Sequence, residues 1–372
     1  MSESATSPPA PATHPAAQAA TRRYTLLAAV LILLILVEIL TVLAVLASQR
    51  FTTERALRQY SHELLTNVVG ETRENAAAYL RQAQNSVLLT TGLLEAGLLG
   101  PGDQVALERY FLEHLRLTPE IDALYFGGPQ GDFVFAKRGG RDPRHAYFSK
   151  LIHAGLPEAE RVTLVDRASN LAENGRQHDP DDRYDPRQRP WYQRAAQSNR
   201  EIWTDPYIFY TSQQPGLTVA LAVRAPGGVL RGVVGADIEL TALSAFLRTQ
   251  KIGSESAAFL VHVNGEVLAH PDESGLARRD GGDRLRLKRL AEADPVAARA
   301  AARVGDLAAL DKVLYERFSH GGHDYLGMFL PLLSRGDDPW IMGVYAREDE
   351  LATRLREGQR ESVFLGVAMS LL

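Results

Sequence analysis

Hydrophobic positions change rhythm along the chain, and each rhythm predicts a different kind of element. From Tyr24 to Ala47 almost every side chain is apolar and Glu38 carries the single charge. A run of that length crosses a bilayer as a helix, which predicts a transmembrane segment over residues 24–47. Arg22 and Arg23 precede it and put the N-terminus on the cytoplasmic side. Residues 1–23, rich in Ala, Pro, Ser and Thr, hold too little apolar surface to fold and are expected to be a disordered tail. A cleaved signal peptide ending at Val45-Leu46-Ala47 is the alternative, but such signals have apolar cores of only about 7–15 residues. Glu38, near mid-span, would be protonated or face a second helix.

The next rhythm has a spacing of three and four. Leu57, Tyr60, Leu64 and Val68, then Ala76, Tyr79, Ala83 and Val87, form a stripe with no proline before Pro101. This predicts a stalk helix over residues 48–100 that packs as core or as a dimer seam. Beyond Pro101 the rhythm shortens to two. Ile121–Phe126 and Asp132–Ala136 flank a Gly-Gly-Pro-Gln-Gly turn and read as a hairpin, whereas the polar stretch 170–183 reads as loop. Residues 201–211, Leu217–Val223 and Gly228–Ile238 add three strands of an antiparallel sheet, and Leu240–Thr249 is a helix leaving it.

A smaller unit follows. Ala257–Ala269 is a hairpin about Asn264-Gly265, residues 278–313 are helical or loose, and Leu314–Phe318, Asp324–Leu330 and Trp340–Tyr345 are strands. The hairpin at 259–268 echoes the one at 124–136, which suggests two copies of one sheet fold. Residues 347–361 make a charged helix that runs into apolar residues 362–372, too few to span a membrane. These are expected to begin a second transmembrane helix, cut short in the front part of a longer protein.

Composition narrows the function. The chain has 372 residues, room for two domains, and a formal charge of −4. No basic field recruits nucleic acid. With no cysteine there is neither a disulfide nor a thiolate nucleophile. Nucleophile elbow, Walker loop and dinucleotide fingerprint are all missing from the sequence, so no catalytic residue and no cofactor is expected. His178 with Asp179, Asp181, Asp182 and Asp185 lacks calcium-loop spacing, and His320-Gly-Gly-His323 lacks further donors, so no metal is expected either.

The chemistry concentrates in Tyr184-Asp-Pro-Arg-Gln-Arg-Pro-Trp-Tyr192. Pro186 and Pro190 forbid a regular helix across this segment and let neighbouring side chains splay toward one point. An arginine fork matches a carboxylate, and Tyr and Trp supply rigid walls with polar tips. A pocket for a small carboxylate is one reading; a solvated loop with Arg187 or Arg189 stacked on an aromatic ring is the other.

Anchor, stalk, larger sheet domain with an Arg-x-Trp-Tyr loop, smaller sheet domain and returning helix together resemble the double Cache sensors of bacterial transmembrane receptors, over about residues 48–361. The resemblance implies an α+β fold: a long stalk helix and two PAS-like antiparallel-sheet modules in tandem, residues 101–250 membrane-distal and 251–346 membrane-proximal, flanked by transmembrane helices. Tyr184, Arg189, Trp191, Tyr192, Tyr207 and Asp237 match the pocket residues of the amino-acid-sensing branch. It implies that Arg189 and the Trp191 indole take the ligand carboxylate, that Tyr192, Tyr207 and Asp237 surround its ammonium, and that Tyr184 walls one end; Arg187, Phe209 and Tyr210 are further candidates. Where that branch often carries an Asp, two residues after Tyr207, this chain has Phe209. The expected protein is a non-enzymatic homodimeric sensor in the bacterial inner membrane, facing the periplasm and binding a small molecule such as an amino acid. A missing output module could be a chemotaxis module, a kinase or a cyclase. The alternatives are a ligand-free Cache scaffold for dimerisation or partner contact, and a cell-envelope enzyme.

Overall fold

The computed structural model describes residues 15–140, 144–250, 252–253, 255–272, 276–279, 285–333, 340–351 and 353. Two compact units divide the chain, one up to His62 and one from Glu63 onward. The first is the leading part of a helix, α1 (Pro15–Glu95). Its backbone is helical from Pro15; residues 1–14 of the expected tail lie outside the described residues. Leu31 to Val37, Ile39, Leu40 and Leu43 are all exposed on it. Among the described residues no helix is long and apolar enough to cross a membrane. Much of the expected span 24–47 has undescribed side chains; of the expected helix 347–361 only residues 347–351 and 353 are described, with Arg347 ending a strand and the other five helical, and residues 362–372 lie outside the described residues.

In the second unit α1 buries Leu65, Val69, Ala76, Leu80, Ala83, Val87 and Leu94. The stripe is shifted by one from Leu64 and Val68, which are only half-buried beside it; Leu57 and Tyr60 have undescribed side chains. Next comes α2 (Gln104–Leu117), a helix absent from the expected elements, although its buried residues recur every three and four positions. The Asp103 carboxylate accepts the Ala106 amide at 3.0 Å as its cap, and Leu107, Phe111, Leu112 and Leu115 form its buried face. Each of these large side chains contributes about 1.5–3 kcal/mol by leaving water.

The larger sheet contains β1 (Ala123–Gly127), β2 (Phe133–Arg138), β3 (Tyr147–Ile152), β4 (Val162–Arg167), which follows the short helix α3 (Glu158–Arg161), β5 (Glu173–His178), β6 (Ile202–Trp203), β7 (Tyr207–Ile208), β8 (Pro215–Arg224) and β9 (Leu230–Glu239). Its order is β5-β4-β3-β2-β1-β9-β8-β6, with β7 also on β8, and the pairs are antiparallel. The edge strand β5 carries only polar residues, so alternation gives no sign of it; an edge made of charges resists pairing with another chain. The predicted strand 201–211 is instead two short pieces, β6 and β7, around a turn.

Alternation gives this sheet two different faces. Leu124, Phe126, Val134, Ala136, Val219, Val234 and Ala236 join the core beneath α1 and α2. Ala123, Tyr125, Phe133, Phe135, Ala220 and Val233 point the other way, into a separate aromatic cluster. The functional candidates lie on that second face.

Helix α5 (Leu240–Thr249) leads to a smaller sheet of β10 (Ala257–His262), β11 (Val267–Ala269), β14 (Leu314–His320), β15 (His323–Leu333) and β16 (Trp340–Arg347), in the order β11-β10-β16-β15-β14. Gly265, with φ 84°, makes the predicted tight turn between β10 and β11. Residues expected to be helical or loose include a hairpin, β12 (Ala277–Arg279) with β13 (Leu285–Leu287), then α6 (Leu290–Ala293) and α7 (Pro295–Val304). Trp203 of the larger sheet meets Trp340 of the smaller edge-on at 5.1 Å.

Candidate ligand-binding cavity

The proline-rich segment folds into two short turns. Pro186–Gln188 is a 3-10 turn whose cap is Asp185, accepting the Arg187 amide at 3.0 Å. Arg189 then stays extended, as a residue before proline must, at φ −88° and ψ 146°. Pro190 opens α4 (Pro190–Ala196), which presses Trp191 and Tyr192 onto the aromatic face of the sheet. Trp191 sits edge-on to Tyr125 at 4.8 Å.

This packing forms a small cavity, ≈ 30 Å³ in volume, that opens to solvent. Tyr184, Arg189, Trp191, Tyr207, Phe209, Tyr210 and Asp237 all line it. Two of the sequence candidates do not. The Arg187 guanidinium forks onto Asp185 at 3.0 and 2.8 Å, outside the cavity and half-exposed. Tyr192, the next residue after Trp191 on a helix, is turned about 100° away from it and packs within the aromatic cluster.

Asp237 anchors one side. Its Oδ1 accepts hydrogen bonds from the Tyr125 phenol and the Thr218 hydroxyl, both at 2.6 Å, and Thr218 is in turn 2.7 Å from the Tyr207 phenol. Among the described residues no hydrogen bond reaches Oδ2. Burial is the main cause that pushes the carboxyl up to about 7, against those two hydrogen bonds, and nearby Asp122 and Glu239 add to it. Arg189 faces the same space. One of its amino groups donates to the Ile208 carbonyl at 3.1 Å, and the guanidinium lies 5.5 Å from the Tyr207 ring and 6.0 Å from that of Tyr184. Among the described residues no carboxylate comes within ion-pair distance of it. Both Arg189 and Asp237 act electrostatically on the buried Tyr184 phenol, which burial raises far above its ordinary value.

Sequence reasoning missed Tyr125 and Thr218. In register, Thr218 stands opposite Asp237 on β8, and Tyr125 stands opposite Gly235 on β1. Gly235 is required there: a methyl group on it would lie 2.2 Å from the Tyr125 ring. The same holds for Phe209, whose ring would be 2.1 Å from a methyl at Gly216. Alternation along β1 turns Tyr125 away from Leu124 and Phe126, but only the register of β1 on β9 puts that face with Asp237. Lys137 and Glu239 also border the cavity.

A cavity bounded by an unpaired guanidinium and a half-used carboxylate suits a ligand that carries both charges. The family model described as a Cache domain, dCache_1, matches residues 53–355. The chain belongs to this Cache-domain family. Among its relatives, the methyl-accepting chemotaxis protein PscA of Pseudomonas syringae pv. tomato is 37% identical over 113 residues, 30% of this chain and 16% of PscA. Adenylate cyclase 1 of Rhizobium meliloti is 29% identical over 188 residues, 47% of this chain and 27% of the cyclase. The chain thus matches about a sixth to a quarter of the length of these relatives. The ligand-binding domain of the Pseudomonas fluorescens chemoreceptor CtaA, solved with L-leucine, aligns at TM-score 0.50 and 23% identity, covering 80% of this chain and 99% of that domain. That likeness is one of fold. The double Cache resemblance read from the sequence is therefore upheld, as is the mixed helix and antiparallel-sheet architecture.

Proposed function

We propose that this Cache protein is the sensor region of a bacterial transmembrane receptor and binds a small carboxylate, most simply an amino acid, in the cavity between α4 and the larger sheet. The observation that carries this is the pairing across one cavity of Arg189, which has no carboxylate partner among the described residues, with Asp237, whose Oδ2 takes no hydrogen bond. A guanidinium and a carboxyl oxygen that face one partly desolvated cavity without a charged partner of their own are placed to take one from a ligand. Arg189 takes the ligand carboxylate beside the Trp191 indole, and Asp237 with Tyr207 takes its ammonium. Phe209 replaces a second carboxylate at this end, so Asp237 alone supplies the counter-charge among the family's pocket positions.

Chemotaxis relatives support a sensory role, and the CtaA domain with L-leucine supports the ligand class. In this reading the modules 101–250 and 251–346 are membrane-distal and membrane-proximal, and α1 passes a displacement toward the membrane in a homodimer. The collar of exposed apolar side chains from Leu31 to Leu43 supports an inner-membrane anchor with the sensor in the periplasm. Ligand binding shifts the helix equilibrium only by its difference in affinity for the two arrangements, and a tenfold difference corresponds to about 1.4 kcal/mol.

The narrowness of the cavity, ≈ 30 Å³, favours a second reading, a ligand-free scaffold. Calorimetric titration of the purified chain with amino acids and organic acids separates the two. A saturable ligand is expected, and Arg189→Ala should weaken it by about a hundredfold, the usual consequence of removing one partner of a desolvated charge pair. Unchanged affinity in that variant would rule this cavity out as the site.

A further inference from the structure

One wall of the cavity is held by a lysine that does not line it. Lys150, on β3, is almost wholly buried, and its ammonium bonds the Asp182 carboxylate at 2.6 Å. The same Asp182 accepts the backbone amide of Tyr184 at 2.8 Å through its other oxygen. The Lys150 ammonium also lies 5.2 Å from the ring centre of Tyr184 and 4.9 Å from that of Tyr210, and the two rings are 5.0 Å apart. Cation and rings therefore form a nearly equilateral triangle, with the cation shared between two π faces.

The two tyrosines differ in what they belong to. Tyr184 is buried in the fixed wall beside α4. Tyr210 is 42% exposed and stands on the turn between β7 and β8. That turn supplies four consecutive cavity residues, Phe209 to Ser212. It closes on itself through the Phe209 amide to the Gln214 carbonyl and the Gln213 amide to the Phe209 carbonyl, each 2.9 Å, with Gln213 in the left-handed region at φ 55°. Its base is fixed by β8 and by the buried Phe209 ring, 5.2 Å edge-on to Tyr207, whereas its outer part reaches the rest of the molecule through Tyr210, by its ring and by its phenol at the Arg183 backbone.

We propose that residues 209–213 form a lip over the cavity and that Lys150 is the positioning residue that latches it, by holding Tyr210 against Tyr184 when the lip is closed. The latch deepens the sensor reading and rests on it for its consequence, which is control of ligand residence. A buried ammonium suits this task. Its charge is neutralised by Asp182, yet it still attracts both rings from a desolvated position, and the contact with Tyr210 can be broken without breaking the ion pair.

Two variants test it. Tyr210→Leu removes the exposed ring and leaves the ion pair; the double variant Lys150→Met with Asp182→Asn removes the cation without stranding a buried carboxylate. Hydrogen exchange of the purified full chain without ligand should show the Phe209 and Gln213 amides exchanging about tenfold faster in both variants, with β9 unchanged, as expected for loss of a desolvated cation–π contact. Lys150→Arg, which keeps the cation, should restore slow exchange. Stopped-flow with L-leucine as probe should then show dissociation faster by a similar factor and association unchanged. Unchanged amide exchange in Tyr210→Leu would overturn the latch whether or not any amino acid binds. Conversely, faster exchange without L-leucine binding would keep the lip and count only against the choice of ligand.

Discussion

Asp237 of the larger sheet module and Asp294 of the smaller are buried to nearly the same depth, at 5% and 6% exposure, but the two are treated in opposite ways. Asp294 is saturated. Its Oδ1 accepts the Val296 and Ala297 amides as the cap of α7, and its Oδ2 accepts from Tyr345 at 2.8 Å and from His270 at 3.0 Å. His270 Nδ1 accepts the Asp272 amide at 3.0 Å, which leaves the ring proton on Nε2, the nitrogen facing Asp294. Burial pushes the Asp294 carboxyl up, but these hydrogen bonds together outweigh it and hold it below its ordinary value. Asp237 has two donors on one oxygen and is pushed up to about 7. A carboxylate whose oxygens are all satisfied ties a fold together. One left half-satisfied beside a cavity is costly to the fold alone and free to meet the ammonium of the proposed ligand.

The largest effect should come from breaking the saturated network. Asp294→Ala strands the Tyr345 hydroxyl, the His270 N–H and two helix-capping amides, and is expected to destabilise the smaller module by about 3–5 kcal/mol, read as a lower urea midpoint. Because its folded pKa lies below the ordinary 3.8, this carboxylate stabilises above that value, and its contribution fades as pH falls through the folded pKa. Ligand affinity in the cavity of the larger module should not change as long as the chain stays folded. A variant of unchanged stability would show that the network is not what holds α7 to the sheet.

Asp237 should behave with the opposite sign. Its folded pKa of about 7 stands above the ordinary 3.8, so the folded protein keeps a proton that the unfolded chain has lost in between. The resulting stability is fully present below pH 3.8 and is lost as pH rises through 7. Asp237→Asn, which can still accept from Tyr125 and Thr218, should therefore melt higher than the parent at pH 8 by the equivalent of about 2–4 kcal/mol, and the gain should shrink toward pH 4. The same variant should bind an amino acid more weakly. Thermal melts across pH 4–8 would settle it; a variant that is less stable at pH 8 would place Asp237 with Asp294 as a structural residue.

How far the site could be read in the sequence follows from the same physics. Tyr184, Arg189 and Trp191 fall close together in the chain, and prolines on either side announce a non-helical turn. Tyr207 and Asp237 match the family's pattern. Tyr125 could not be found this way: its bond to Asp237 joins residues 112 positions apart, and only the strand register brings them together. The helix α2 and the edge strand β5 were missed because one begins directly after a Pro-Gly turn and the other has no apolar alternation to detect. The cores themselves were legible wherever a single face is buried, as in α5, β8 and β9.

The smallest expected effect separates two neighbouring arginines that the family pattern ranks differently. Arg187 and Arg189 stand two residues apart in the same motif, and composition gives no reason to prefer either. The 3-10 turn decides between them. It directs Arg187 back to Asp185, where the pair is exposed on the guanidinium side at 48%, and an extended backbone at Arg189 sends the other guanidinium into the cavity. Exposed ion pairs contribute little, so Arg187→Ala should change stability by no more than about 0.5 kcal/mol. Its ligand affinity should stay within about twofold of the parent, because affinity in this cavity depends on a desolvated charge and Arg187 remains in water. If calorimetry found Arg187→Ala as damaging as Arg189→Ala, the ligand would have to bridge both residues, and the cavity beneath Trp191 would be only part of the site.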